Sequence, residues 1–294
     1  MQWNDLQAFI AVADLGSFSR AGERLHLTQP AVSKRVQALE TQLGAKLLDR
    51  IGKRVYLTDA GRLLKPRAED LIRAMQETQR MVQDMETRVS GVLSLATSHH
   101  VGLHRLAPVL RTYAQRFPEV NLDIRFEDSE DAHDLVRRAE TEIAVVTLNP
   151  QGDPDLYYEP LWDDPLCFVV SKDHELTTRG TLTLQGLAAA RPVLPGLGTF
   201  TGRIVVDAFS AAGIPLTPNL ATNYLETIAM LVSIGLGWSV LPSSMIKPPL
   251  VILDTEAPPL RRSLGCVTNP RRTLSNAARA LFEVLQAYAD PAGT

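Results

Sequence analysis

The sequence predicts an α/β fold with an all-α-rich N-terminal part, and three observations lead to this prediction. Residues 1–58 contain three short amphipathic helices followed by two short strands, as in a winged helix-turn-helix. Residues 59–90 carry apolar side chains at alternating spacings of four and three, which is typical of a long dimerising coiled-coil helix. Residues 91–294 alternate strand-like with helix-like segments, which predicts parallel sheets covered by helices.

The composition is that of an ordinary globular protein. The chain has 294 residues, of which 45% are hydrophobic and 21% charged, and this length suits two or three domains. No apolar run approaches the ~18 residues of a membrane span, and the start MQWNDLQAF does not resemble a signal peptide. Cys167 and Cys266 stand in strand-like apolar segments and are interpreted as reduced core thiols, with a redox pair as the alternative. We therefore expect a cytoplasmic protein.

The charge is distributed unevenly along the chain. Residues 1–90 hold 14 Lys and Arg against 11 Asp and Glu, a net charge of +3. Residues 91–294 hold 16 against 22, a net charge of −6. A basic first part joined to an acidic second part favours a nucleic acid as the partner of the first part.

The first two helices are predicted from their apolar faces and their ends. Asn4 is a predicted N-cap, with Gln7 three residues on, and Gly16 ends the first helix. The segment SFSRAGERLHL predicts a second, shorter helix. The two apolar faces consist of Leu6, Phe9, Ile10 and Ala13, and of Phe18, Ala21 and Leu25.

The third helix, in LTQPAVSKRVQALE, has the features of a recognition helix. Thr28 is a predicted N-cap, Pro30 lies in the first turn where its missing N–H costs little, and Gly44 ends the helix. An apolar stripe for packing is formed by Val32, Val36, Leu39 and Leu43. Reading of base edges in a major groove requires short polar side chains and nearby cations, and the other side of the helix offers Gln29, Ser33, Lys34, Arg35 and Gln37. The alternative is a polar side that simply faces water.

The segment KLLDRIGKRVYLT predicts a β-hairpin after this helix. Two short strands flank RIGK, and the hairpin carries Arg50, Lys53 and Arg54. A basic wing beside a recognition helix can bind the phosphate backbone or the minor groove. This hairpin makes the DNA-binding interpretation of the third helix stronger.

A long helix follows, with Thr58 as its predicted N-cap. Its apolar seam runs for more than three heptads and predicts a homodimer, with two recognition helices about 34 Å or a multiple apart. Pro66 should loosen its first turns. The alternative is a helix that packs on its own domain. The seam residues are Leu64, Ala68, Leu71, Met75, Thr78, Val82, Met85 and Val89.

The stretch FSRAGERLHLTQPAVSKRVQALETQLGAKLLDRIGKRVYLTDAG resembles the N-terminal module of LysR-type transcriptional regulators. It departs from the family pattern only at Gly22, where Ala is usual, and at Leu48, where Phe is common. The resemblance implies a winged helix-turn-helix on a dimerising linker helix, a homotetramer built from two dimers, and a two-lobed periplasmic-binding-protein-like α/β effector domain. The positions that match DNA contacts are Thr28, Gln29, Pro30, Ser33, Lys34, Arg50 and Arg54.

The second part of the chain is predicted to form two lobes. A βαβαβ series runs from VLSLAT (92–97) to IAVVTL (143–148), and a second series begins at PLCFVVS and continues through PVLP (192–195), LATN and WSVLP. The strand RSLGCVT and the helix SNAARALFEVLQAYA are expected to return to the first series. Lobe I is then about 91–162 and 267–294, lobe II is about 163–266, and two crossings create a hinged cleft.

Ligands of open parallel sheets bind beyond the strand ends, often at helix N-termini, and this predicts the effector site. Hydroxyl groups, histidines and an arginine near such ends could hold a carboxylate or another oxyanion. The same Ser and Thr residues are also good N-caps, and Arg203 could instead form a surface ion pair. The predicted effector-binding residues are Thr97, Ser98, His99, His100, Ser129, Thr147, Thr199, Phe200, Thr201, Arg203 and Tyr224.

The histidines allow a second interpretation. His100 and His104 are four residues apart at a predicted helix start, a spacing that can bind zinc, but no Cys or acidic residue is near in sequence to complete a site. We therefore assign no metal and no cofactor. The sequence shows no Gly-x-Ser-x-Gly, phosphate loop or His-Glu-x-x-His motif, so it does not predict an enzyme.

We thus expect a sequence-specific DNA-binding regulator of transcription. As the resemblance implies, a small-molecule effector, here predicted to be a small anionic metabolite, closes the cleft and changes the angle between dimers and the bend of the DNA. The alternatives are a metal- or redox-responsive regulator and a constitutive DNA binder with a vestigial cleft. No membrane partner is expected.

Overall fold

The computed structural model describes residues 2–52, 54–83 and 89–291. The chain forms two compact units, Met1–Glu86 and Thr87–Thr294. The limits predicted at residues 58 and 90, and those of the two lobes, stay predictions. No helix in the described ranges is long and apolar enough to cross a membrane.

The first unit consists of three packed helices, a hairpin and a long helix. Thr28 caps the third helix by accepting from the Ala31 amide at 3.4 Å, and Gly16 and Gly44 end the first and third helices with φ near +60°, as predicted. The elements are α1 Trp3–Leu15, α2 Phe18–Leu25, α3 Gln29–Leu43, β1 Leu48–Ile51, β2 Arg54–Leu57 and α4 Asp59–Gln83.

Two details of this unit differ from the prediction. The N-cap of α1 is Gln2, so Asn4 lies inside the first turn and does not cap the helix. Leu43 is 43% exposed because it lies at the last position of α3, beyond the contacts that bury Val36 and Leu39. The other members of the predicted apolar stripe lie in the core of the unit.

The seam of α4 divides into two parts. Thr58 caps the helix at the Gly61 amide, and Leu64 and Ala68 pack into the core of the first unit. Met85 lies outside the described residues. The prediction for Val89 was wrong, because this residue lies beyond α4 and packs against the core of the second unit. The seam residues that the described part of the helix leaves exposed are Leu71, Met75, Thr78 and Val82.

Lobe I of the second unit begins with the predicted βαβαβ series. Strand β3 pairs in parallel with β4 on one side and with β5 on the other, because helices return the chain to the same end of the sheet. The first helix is continuous from His99 to Arg116 and contains one π-helical turn, Gly102–Leu106. The elements are β3 Gly91–Thr97, α5 His99–Val101, α6 Ala107–Arg116, β4 Val120–Phe126, α7 Ser129–Arg137 and β5 Ile143–Thr147.

Two long antiparallel strands, β6 (Tyr157–Ser171) and β11 (Leu260–Thr268), connect the lobes. The sequence predicted only residues 165–171 of β6. Its first half pairs with β11, which also pairs with β5, while its second half pairs with strands of lobe II. The remaining elements are α8 Leu184–Ala189, β7 Val193–Leu194, α9 Phe200–Ala211, β8 Leu220–Ala221, α10 Leu225–Ser233, β9 Ser239–Pro242, β10 Leu250–Ile252 and α11 Asn276–Ala287.

Each lobe has its own apolar core. Helix α11 returns to lobe I, where Leu281 and Leu285 pack with Tyr113 and Val145. In lobe II, Trp238 stacks on Phe209 at 6.0 Å between ring centroids, and its indole N–H donates to the Leu187 carbonyl at 2.9 Å. Between the two lobes lies a cleft lined mainly by polar side chains.

Candidate nucleic-acid interface and interlobe cleft

The polar side of α3 is the candidate nucleic-acid interface. The apolar stripe is buried in the unit, and this turns the predicted contact residues outward. Thr28, Pro30, Lys34 and Gln37 are exposed. The half-buried members of the set are Gln29, Ser33 and Arg35.

The hairpin lies beside the helices and brings further cations. The Val55 amide donates to the Gly16 carbonyl at 3.1 Å, which ties β2 to the end of α1. Arg50 and Arg54 are exposed, and the Arg50 guanidinium lies 4.6 Å from the centroid of the Phe18 ring. The predicted contact Lys53 lies outside the described residues.

The cleft between the lobes encloses a cavity of about 50 Å³, enough for a few water molecules. Nine of the eleven predicted effector residues line it, which are Ser98, His99, His100, Ser129, Thr147, Thr199, Phe200, Thr201 and Tyr224. They come from the ends of strands and the first turns of helices in both lobes. The further lining residues are Asp128, Glu130, Pro195, Asn223, Leu225 and Arg262.

Two predicted residues do not line the cavity. Thr97 is buried, and its hydroxyl donates to the Val145 carbonyl at 2.8 Å, so it joins strands β3 and β5. Arg203 is half-buried, lies 4.8 Å from the centroid of the Phe200 ring and approaches Glu130 to 3.9 Å. Its position corresponds to the surface ion pair that the sequence left as the alternative.

Arg262 on β11 is the functional candidate that the sequence analysis missed. Its Nε donates to Oδ2 of Asp164 on the paired strand at 2.8 Å, and Nη1 donates to Oγ1 of Thr201 in the first turn of α9 at 2.9 Å. Burial lowers the pKa of Arg262, an effect that Asp164 opposes. Among the described residues, Nη2 is buried without a hydrogen-bond partner.

Two carboxylates of lobe I reach across the cleft. Glu130, in the first turn of α7, accepts from the Phe200 amide at the start of α9. Asp128 accepts from the side-chain amide of Asn223, just before α10. Burial raises the pKa of Glu130, because the cleft withdraws its carboxylate from water. In this arrangement the protein's own carboxylate occupies the anion-binding end of α9.

Glycine allows the close packing at that helix end. A Cβ on Gly202, in the first turn of α9, would lie 2.2 Å from the Gly196 carbonyl oxygen. The Thr199 hydroxyl accepts from the Gly202 amide at 3.0 Å and donates to the same carbonyl at 2.7 Å. The loop before α9 therefore folds tightly over the helix N-terminus.

Aromatic and histidine rings pack against one another at the cavity, which is lined by His99, Phe200 and Tyr224. The His99 ring packs against Phe126 and Tyr224, with centroids 5.4 and 5.0 Å away. His133 lies beneath Phe200, and burial lowers the pKa of its imidazole. These contacts give one wall of the cavity an apolar character.

His100 and His104 meet an acidic residue from lobe II. Nε2 of His104 lies 3.1 Å from Oε1 of Glu226, and Nδ1 of His100 lies 3.7 Å from the same oxygen. Their rings are 4.7 Å apart because they lie one helical turn apart across the π-helical turn. The three residues are the one group among the described residues whose ligand atoms lie close enough to hold a metal ion.

Two family models match the chain, one for each of its two parts. The model of the bacterial regulatory helix-turn-helix proteins of the lysR family matches residues 3–62, and the LysR substrate binding domain matches residues 86–290. The chain belongs to the LysR family. LysR-family proteins are transcriptional regulators, so the chain is a DNA-binding regulator with an effector-binding domain and not an enzyme.

Individual LysR-family proteins resemble the chain over its length. The uncharacterized HTH-type transcriptional regulator YfeR of Shigella flexneri is 29% identical over 96% of this chain and 92% of its own. Full-length CbnR in complex with its target DNA has a TM-score of 0.70 at 21% identity and covers 98% of this chain and 100% of its own. The effector-binding domain of QuiR in complex with shikimate has a TM-score of 0.61 at 17% identity, and the match covers 68% of this chain and 97% of the QuiR domain. The predicted fold is thereby confirmed.

Proposed function

We propose that this LysR-family regulator responds to a small anionic metabolite bound between its two lobes. The observation that carries the proposal is Nη2 of Arg262, a buried N–H group without a partner among the described residues, in a residue that lines the cleft. A buried unpaired donor on a cation costs free energy, and a carboxylate or phosphate oxygen would satisfy it with a charge-assisted hydrogen bond.

Helix N-termini support the choice of an anion. Three helices of nine or more residues, α7, α9 and α10, present their first turns to the cavity. Each contributes a partial positive charge there. Shikimate, the compound in the QuiR complex, is a small carboxylate.

In the present arrangement the Glu130 carboxylate occupies a position at the start of α9 that we propose for the effector anion. Because its carboxylate accepts from the Phe200 amide, an effector must displace it to reach the end of α9. The cavity of about 50 Å³ must also widen to admit a metabolite. Binding is then coupled to movement of the lobes, and the effector shifts the balance only by its difference in affinity between the two arrangements.

The DNA-binding part of the proposal assigns operator reading to α3 and the hairpin. Gln29, Ser33 and Gln37 read base edges, and cations such as Lys34 and Arg54 hold phosphates. The exposed seam of α4 forms a homodimer, and two dimers form a homotetramer on neighbouring sites. We expect this to take place in the cytoplasm.

A thermal-shift screen of small carboxylates, phosphates and amino acids tests the effector proposal, with EDTA present to remove metals. The proteins are wild type, Arg262→Lys, and Arg261→Lys as the matched control, since Arg261 is the exposed neighbour. We expect an anion to raise the melting temperature of wild type and control and to have little effect on Arg262→Lys. Equal shifts in all three proteins would overturn the role of Arg262. A wild type stabilised by no anion would favour the constitutive alternative.

A further inference from the structure

We propose that His100, His104 and Glu226 form a zinc site that joins the two lobes. The sequence offered only the two histidines, and the fold adds the carboxylate from α10. The zinc site differs from the proposed anion site in its ligand and in the atoms that hold it.

The spacing of the three side chains suits a shared zinc ion. The ligand atoms of the three residues all lie within 4.8 Å of one another, and Oε1 of Glu226 is 3.1 Å from Nε2 of His104 and 3.7 Å from Nδ1 of His100. Zinc bonds of 2.0–2.1 Å place tetrahedral ligand atoms about 3.3 Å apart, so small side-chain rotations suffice. Two imidazoles and one carboxylate leave a fourth position for water.

His100 supplies an independent observation. Its side chain is only 5% exposed, and among the described residues neither of its ring nitrogens has a hydrogen-bond partner. Buried polar atoms are normally satisfied, and a metal ion would satisfy one of these nitrogens.

The charges around the site permit a divalent cation. Arg262 and Arg105 are cations on this side of the cleft, and both lie against the Asp164 carboxylate, at 2.8 and 3.7 Å, which offsets part of their charge. Glu226 contributes a negative charge directly to the site. Imidazole nitrogens combined with one carboxylate suit zinc better than calcium or magnesium, which prefer all-oxygen ligand sets.

The site spans the cleft, and this gives it a regulatory consequence. His100 and His104 belong to lobe I, whereas Glu226 lies in the first turn of α10 in lobe II. A bound zinc ion therefore favours the arrangement in which the two lobes approach each other here. Since His100 also lines the cavity, zinc would change the access of the anion to the cleft.

Isothermal titration of tag-free, full-length protein with ZnCl₂ after removal of metals by EDTA tests the inference. The test variants are His104→Ala and Glu226→Gln, whose side chains are 41% and 36% exposed and whose loss should not prevent folding. The matched controls are His174→Ala and Glu283→Gln, which make the same substitutions outside the group. Circular dichroism establishes that each variant is folded.

We expect one zinc ion per chain in wild type and both controls, and at least tenfold weaker binding in both test variants. Replacement of zinc by Co²⁺ should give the visible absorption bands of tetrahedral cobalt in wild type and not in His104→Ala. The inference is overturned if wild type binds zinc no more tightly than the test variants. Because the anion screen contains EDTA, its result is independent of this one.

Discussion

Arg262 and Asp164 form a buried ion pair between the crossing strands, with Nε 2.8 Å from Oδ2 and side chains 4% and 1% exposed. The two residues are Cα partners in the register of β6 and β11, so the pair spans the ladder that joins the lobes. It places one cation at the cleft and holds the N-terminus of α9 through Thr201. This single contact therefore links the stability of the second unit with its binding chemistry.

Arg262→Met should destabilise the protein strongly, because it leaves the buried Asp164 carboxylate without its 2.8 Å partner and with only the more distant Arg105, at 3.7 Å. We expect a loss of about 3–5 kcal/mol in the free energy of unfolding, measured by urea denaturation. The control Arg261→Met breaks the exposed pair with Asp163 and should cost less than about 1 kcal/mol. Equal losses in the two variants would contradict the assignment. The double variant Arg262→Met, Asp164→Leu should recover much of the loss.

Gly202→Ala should disturb the N-terminus of α9, because its Cβ would lie 2.2 Å from the Gly196 carbonyl. We expect a loss of about 1–3 kcal/mol in unfolding free energy. Gly186→Ala, in α8, is the matched control, since its Cβ meets no atom nearer than 3.4 Å. It should leave stability unchanged or increase it by up to about 1 kcal/mol. If Gly202→Ala leaves the free energy of unfolding unchanged, the prediction is wrong, because the loop before α9 must then move to make room for the Cβ.

Acid should destabilise the second unit through His133. Burial lowers the pKa of this imidazole in the folded protein, so the unfolded chain binds the proton more readily. The stabilisation is present above the unfolded pKa of about 6.5 and is lost as the pH falls through the lowered folded value. His133→Gln should reduce the slope of unfolding free energy against pH below 6.5 by at most about 1.4 kcal/mol per unit. An unchanged slope in that range would refute the prediction, and the slopes above pH 7.5 serve as the internal control.

The exposed seam of α4 predicts a dimer. Met75→Lys would place a charge among apolar side chains of two chains, and the dimer should dissociate at protein concentrations at least tenfold higher than for wild type. Sedimentation velocity over a dilution series measures this change. Gln76→Lys adds the same charge one residue away and should leave association unaffected. Comparable association in both variants would place the interface elsewhere.

The salt dependence of DNA binding measures how many phosphates the protein neutralises. Arg54→Ala and Lys34→Ala should each reduce the slope of log affinity against log salt by about 0.9 for every phosphate that the variant leaves unbound. Fluorescence anisotropy with a duplex selected from a random pool gives these slopes. Arg111→Ala removes a cation from the second unit and should not alter them. If Arg111→Ala lowers the slope as much as Arg54→Ala does, the change in slope reflects the net charge of the protein and not a phosphate contact of Arg54.

The local patterns predicted most of the fold, because they depend on residues close in sequence. Thr28, Gly44 and the alternating segments of lobe I each signal a helix end or a strand within a few positions. The N-terminal limit of α1 was misjudged because Asn4 matches a capping pattern that the chain does not use. Val89 lies at the next position of the heptad spacing in the sequence, but helix α4 is described only to Gln83.

The site was predicted less completely, because its decisive contacts join distant parts of the chain. Arg261 and Arg262 are adjacent, and only pairing with a strand about a hundred positions earlier decides that Arg262 is the buried one. Glu226 reaches His104 from 122 positions away, so the histidine spacing alone could not complete a metal site. In contrast, residues at helix starts were found, because N-cap chemistry marks these starts in the sequence.

The position of β11 has a consequence for synthesis. This strand lies between β6 and β5 in the sheet, yet it is among the last segments to leave the ribosome. All residues of the first unit are synthesised long before β11. In contrast, β5, whose residues Ile143–Thr147 are all buried in the finished protein, keeps an open apolar edge until residue 268 has emerged. Nascent chains that stop before Leu260 would thus carry a complete helix-turn-helix on a second unit whose β5 edge is open to aggregation.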